Sequence, residues 1–156
     1  MASPSKLLKQ WQKLSPKFGG SWLFSRILGR MARYSGSIKP HVKELQPGRA
    51  VVLMHDRPAV RNHLHSVHAI ALMNLGEIAT GLAVLACLDS NRRGIVTNLS
   101  MEYTKKARGT LTAICEFEPP AADFEGPFTV RAEIIDSEGD VVSSAKAEWT
   151  IGFRPS

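Results

Sequence analysis

The sequence predicts an α+β domain in which a curved antiparallel sheet wraps a long, largely buried helix. Three observations predict it. An apolar run from Val67 to Leu88 is too long for a strand, two strand-like segments precede it, and four segments alternating apolar and polar residues follow it. At 156 residues the chain is the size of one ordinary domain. A chain of that length buries roughly two thirds of its unfolded surface and needs no disulfide framework.

Residues 5–34 read as one or two helices. Leu7, Leu8, Trp11 and Leu14 recur at helical spacing, Pro16 and the Gly19-Gly20 pair interrupt, and Trp22, Phe24, Ile27, Leu28 and Met31 resume. Lys6, Lys9, Lys13, Arg26, Arg30 and Arg33 make these helices basic and amphipathic. Three readings stay open for them: a helix packed on the domain, a mitochondrial targeting sequence, and a membrane-surface anchor that gives peripheral membrane contact through residues 1–34. The expected division is a basic helical extension over 1–34 and one domain over 35–156.

From Ile38 the pattern changes. The segments Ile38–Leu45 and Arg49–His55 read as two strands joined by a turn at Gln46-Pro47-Gly48. A polar loop, 56–64, leads into the apolar run, whose Ala, Leu, Met and Ile content predicts a helix of about five turns. It is apolar on nearly every face, so it must be covered on more than one side. The cover is predicted from four strands. Ile95, Thr97, Leu99, Met101 and Tyr103 share one face of the first, with Val96, Asn98, Ser100 and Glu102 opposite; Leu111–Phe117, Phe128–Ile134 and Val141–Ile151 alternate in the same way. Exposed edges of such a sheet favour pairing in a homodimer or a dimer of dimers.

Charge is unevenly placed. Residues 1–49 carry +9 and residues 50–156 carry −3, so the high pI belongs to the amino-terminal region. A nucleic-acid partner is not expected, because no basic stripe crosses the body of the domain. Cys87 and Cys115 stand alone in apolar runs and read as buried free thiols. Asn74 and Glu77 interrupt the most apolar stretch, which argues against a membrane span, and the expected location is the cytoplasm or the mitochondrial matrix.

Reactive side chains are densest between residues 61 and 77: Arg61, Asn62, His63, His65, Ser66, His68, Asn74 and Glu77. A carboxylate at position 77, mid-helix between Leu75 and Ile78, needs an explanation because burying it unpaired costs several kcal/mol. Pairing with Arg61 is one; a catalytic base or nucleophile with a raised pKa is the other. Met73 and Asn74 share its face, and Gly81 leaves room for a ligand chain. Nine residues of helix span about 13 Å, so His68 and Glu77 cooperate only across two subunits. Ser66 is predicted to cap the helix. The helix start at His68 and Ala69 offers backbone N–H groups to an oxyanion. The histidine spacing matches no metal motif, and no metal or cofactor is expected.

These residues resemble the hotdog-fold acyl-CoA thioesterases, and among them the small hotdog proteins grouped with the carboxy-terminal domain of acetyltransferase-fused thioesterases. The family pattern is Asn, two residues, Gly, two residues, His, then an acid nine positions on; Asn62, His68 and Glu77 meet it, while His65 stands at the glycine position and Ala69 and Ile70 replace a glycine pair. The resemblance spans roughly 38–152 and includes the run from Thr97 to Gly109. It implies a thioesterase of lipid metabolism acting on acyl-CoA or an acyl carrier protein, with coenzyme A present only as part of the substrate. In that mechanism the N–H of His68 or Ala69 polarises the thioester carbonyl, Asn62 orients substrate or water, and Glu77 is general base or nucleophile; His63 and His65 are secondary candidates. Substrate contacts would come from Arg61, Met73, Asn74, Gly81, Asn98 and Ser100, with Lys105, Lys106 and Arg108 on the CoA phosphates. The alternative is a hotdog protein that binds acyl-CoA or acyl carrier without hydrolysis. A dehydratase is disfavoured, since that chemistry wants acid and histidine together at the helix start.

Overall fold

The computed structural model describes residues 3–155; residues 1, 2 and 156, the outer ends of the expected extension and domain, lie outside the described residues. In chain order the elements are α1 (Lys6–Leu14), α2 (Gly20–Met31), α3 (Arg33–Gly36), β1 (His41–Gln46), β2 (Arg49–Met54), a 3-10 turn (Pro58–Val60), α4 (Ala69–Cys87), β3 (Arg92–Tyr103), β4 (Leu111–Glu116), β5 (Gly126–Ile135) and β6 (Val141–Phe153). The strands form one six-stranded antiparallel sheet in the order β1-β2-β4-β5-β6-β3. It wraps α4, which meets all six strands. This is the hotdog arrangement, as the sequence predicts.

The core follows from the alternation. Leu111, Ala113 and Cys115 of β4, Val130, Ala132 and Ile134 of β5, and Ala145, Ala147, Trp149 and Ile151 of β6 are buried against Leu75, Ile78, Ala79 and Leu82 of α4. Both cysteines are free thiols; burial pushes Cys87 up to about 11 and Cys115 to about 12.

Two strands depart from the expected alternation: β6 at its start, where Val142 is buried and Val141 exposed beside a register shift at Ile134/Ile135, and β3. Strand β3 pairs with β6 through Val96↔Trp149 and then Asn98↔Glu148, leaving Thr97 as a bulge. A bulge advances the chain one residue without advancing the register, so side chains before it exchange faces. Val96 therefore packs on the core and Ile95 is exposed, the reverse of a single unbroken period, while Leu99 and Met101 point inward as predicted.

The amino-terminal helices pack on the β1 side of the sheet. Ser5 caps α1 by accepting from the Leu8 N–H, and Leu8, Trp11 and Phe24 are buried in the same core as α4. Trp11 and Phe24 meet edge to face, with centroids 5.1 Å apart. Ser25 Oγ accepts from the Val42 N–H at 2.9 Å, satisfying a donor of the sheet edge. The short α3 lies close over the end of α2, because a side chain at Gly36 would stand 2.2 Å from the Gly29 carbonyl oxygen.

Candidate active site

The loop before α4 is fastened by Asn62. Its side-chain oxygen accepts from the N–H groups of Leu64 (2.9 Å) and Ser66 (3.2 Å), its own N–H donates to Ser66 O, and its carbonyl accepts from His65. The side-chain carbonyl that the sequence suggested for orienting substrate or water thus closes the loop, which leaves Nδ2 as the group facing other chemistry. His65 sits at φ +57°, in the left-handed region that glycine enters without cost. The backbone there explains why a glycine suits the position, and the His65 and His63 side chains are exposed.

The helix starts at Ala69, and its cap is His68 rather than Ser66. His68 Nδ1 accepts from the Ile70 N–H at 3.0 Å, so the neutral ring carries its proton on Nε2. Ser66 is buried, and its hydroxyl finds no partner among the described residues. Sequence reasoning missed this because histidine is an uncommon cap, whereas serine is a favoured one. His68's own N–H donates to Val60 O at 2.8 Å. Of the two predicted oxyanion donors, His68 is therefore already engaged, and the Ala69 N–H meets no acceptor among the described residues.

Glu77 lies on the third turn of α4. It makes no ion pair and no side-chain hydrogen bond among the described residues, and burial alone raises its pKa above the usual carboxylate range. It lines a cavity of about 330 Å³ with Met73, Asn74 and Ile70 of α4, Leu99 of β3, and Tyr34 and Ser35 of α3. Asn74 is fixed by donating to Tyr34 O at 3.2 Å. The wall from α3 was not legible as part of a site: Tyr34 ends the segment read only as amphipathic helix, and Ser35 opens the expected domain with no site signal.

Arg61 is not Glu77's partner. Its Nε meets Asp56 Oδ1 at 2.7 Å, and Asp56 Oδ2 accepts from Gly109 N–H at 2.9 Å. The Arg61 guanidinium holds Asp56 below the usual carboxylate range. Together with a bond from Val67 N–H to Ala107 O at 2.8 Å, this pair ties the helix-start loop to the turn carrying Lys106 and Arg108, both exposed. Tyr103 Oη donates to Ala69 O at 2.9 Å and braces the same corner.

Other predicted residues fall elsewhere. Lys105 Nζ is held by Asp136 (2.7 Å), Asp140 (2.7 Å) and Glu138 (3.2 Å), three carboxylates close enough together to hold one cation, so its amine serves the β5–β6 turn. Asn98 and Ser100 lie on the face of β3 opposite Leu99, away from the Glu77 cavity of their own chain. At Gly81 a side chain would stand 3.1 Å from the Trp149 ring and 3.8 Å from Glu77 Oε1, so the room left by this glycine is filled by indole.

Residues 20–151 match the family described as a domain of unknown function, DUF4442. A crystal structure from structural genomics is similar over 96% of this chain and 97% of its own, at 29% identity and a TM-score of 0.82. A Pseudomonas aeruginosa protein described as of unknown function and a probable thioesterase aligns with 83% of this chain and 91% of its own (19% identity, TM-score 0.71). A variant thioesterase of Staphylococcus aureus aligns with 76% and 98% (16% identity, TM-score 0.69). No curated protein matches the sequence. The chain shares its fold with these thioesterases and, through the match over most of its length, belongs to the DUF4442 family.

Proposed function

We propose that the protein hydrolyses acyl thioesters of coenzyme A or of an acyl carrier protein, as a homo-oligomer. One observation carries the reading: an unpaired, half-buried carboxylate, Glu77, on the wall of a cavity. Structural carboxylates in apolar helices find a cation or a donor, and this one has neither among the described residues.

The reaction needs a base, a polarised carbonyl and a place for the leaving thiol. Glu77 takes a proton from water as the hydroxide adds to the thioester carbon. The resulting oxyanion accepts from Ala69 N–H at the positive end of α4 in a second copy of the chain, since about 13 Å of helix separates positions 68 and 77 within one copy. Collapse breaks the C–S bond, and the proton held by Glu77 passes to the thiolate. Lys106 and Arg108, tied beside the helix start, are suited to the phosphates of coenzyme A. The second copy joins through β3, whose outer edge is open.

Replacing Glu77 by Gln removes the base and keeps the shape. Thiol release from a panel of acyl-CoA lengths, followed with a thiol reagent, is expected to fall at least about 10²-fold; equal rates in variant and parent would end the assignment. The engagement of the His68 N–H with Val60 favours a second reading, an acyl-carrier binding protein without turnover. It predicts saturable acyl-CoA binding and no thiol release from the parent.

A further inference from the structure

The basic amino-terminal region leaves an unpartnered surface. Helix α2 turns Phe24, Ser25 and Leu28 inward, and its outer side carries Trp22, Leu23, Arg26 and Arg30, with Phe18 just before it and Met31 and Tyr34 just beyond. Trp22 is 54% exposed and Met31 77%, so more than half of each apolar side chain is left in water. Arg26 lies over the Trp22 ring at 4.8 Å.

Beside this stripe runs the larger cavity of the molecule's described pair, about 460 Å³, between α2 and the start of β1. Arg26, Arg30, Lys39, His41 and His55 line it, and no carboxylate does. The first acid of the chain is Glu44, and among the described residues none of Arg26, Arg30, Arg33 or Lys39 forms an ion pair. The His41 imidazole has its pKa lowered, first by burial and then by Lys43 and His55.

We propose that the outer face of α2, with the cationic cavity at its flank, docks on an anionic phospholipid bilayer. Arginines set among an exposed tryptophan, tyrosine and aliphatic side chains match the headgroup layer, where aromatic rings sit at the boundary and guanidinium groups bind phosphate. The cavity takes a headgroup phosphate; Trp22, Leu23 and Phe18 enter the acyl boundary. A soluble acidic protein would match the arginines but not the bare apolar side chains between them. Helix α3 links the two cavities, with Gly36 on this one and Tyr34 and Ser35 on the Glu77 cavity. Docking therefore brings the Glu77 cavity to the membrane surface, a consequence for acyl substrates that rests on the proposed function, whereas the docking itself does not.

The test is partition of the full chain onto vesicles of phosphatidylcholine alone and of an equal mixture with phosphatidylglycerol, read by sedimentation and tryptophan emission. Trp11 and Trp149 are buried, so a blue shift reports Trp22. The expected result is binding with a blue shift on the mixed vesicles only. Arg26→Glu with Arg30→Glu, both at exposed positions, is expected to weaken partition at least about 10-fold, while Arg131→Glu, an equal change per site on exposed β5, changes it by less than about twofold. Three results overturn the proposal: no partition on the mixed vesicles, equal partition on phosphatidylcholine alone, or a loss with Arg131→Glu matching that of Arg26→Glu. Glu77→Gln binds vesicles like the parent, so failure of docking and failure of hydrolysis are separately visible.

Discussion

The two edges of the sheet are finished in different ways. At β1 the chain closes its own edge: α2 lies along it, Ser25 accepts a strand N–H, and Trp11 and Phe24 continue the core beyond the sheet. At β3 twelve residues run along an edge with no neighbour outside it and only the Thr97 bulge to interrupt it. An edge left unpaired presents free backbone groups to any other strand. The difference teaches that one edge of the sheet is covered from within the chain while the other, among the described residues, is left open. The Glu77 cavity takes walls from both sides, Leu99 from β3 and Tyr34 and Ser35 from the amino-terminal helices.

The comparison breaks most visibly at Phe24. If the β1 side is closed by packing, Phe24→Ala removes a fully buried ring and costs about 3–5 kcal/mol, a fall in Tm of roughly 10 °C for a chain of this size. A fall no larger than an exposed substitution gives, measured by thermal and urea unfolding, would mean that the helices are a detachable extension. On the other edge, Ile95→Lys places a charge where the bulge has left an apolar side chain exposed, without touching the core. Self-association is expected to weaken at least about 10-fold, or about 1.4 kcal/mol, in sedimentation equilibrium with the monomer's melting unchanged. An unaltered oligomer would move the pairing surface away from β3.

Glu77 sharpens the comparison through pH. Its pKa in the folded chain is raised by burial, so the folded state holds the proton more tightly than the unfolded state does. The stabilising contribution is complete below the unfolded pKa and is lost as pH rises through the folded one. At neutral pH the charged form costs stability, and Glu77→Gln is expected to gain about 1 kcal/mol there. The gain shrinks as pH falls to 4.5, the ordinary value for this side chain. A gain that does not depend on pH would come from packing and not from the buried charge.

Much of this architecture was legible because period and burial agree. The long apolar run can only be a covered helix, and β4 and β5 alternate over their buried stretches, as β6 does from Ser143 onward. The bulge at Thr97 was not legible, because Ile95, Thr97 and Leu99 form an acceptable alternation and nothing local marks the extra residue. Asn62, His68 and Glu77 were singled out as candidate site residues through the family resemblance. Their division of labour required coordinates: Asn62 binds its own loop, His68 caps the helix, and Tyr34 and Ser35 arrive from forty residues away. Contacts that distant leave no periodic trace in the chain.

The smallest expected effect is at His65, where strain and chemistry make opposite demands. Its φ of +57° is costly for a side chain with a Cβ, by roughly 1 kcal/mol, and the Asn62 hydrogen bonds on either side give the loop little room to relax. His65→Gly relieves that strain but also loosens the unfolded chain, so the net gain is expected to be a few tenths of a kcal/mol to about 1 kcal/mol. His65→Asn tolerates the same backbone without an imidazole. If both variants gain or hold stability and keep thiol release, the imidazole is only a tenant of a glycine position. If both lose thiol release while Tm holds, the strain is retained for a proton carrier, a second working group besides Glu77.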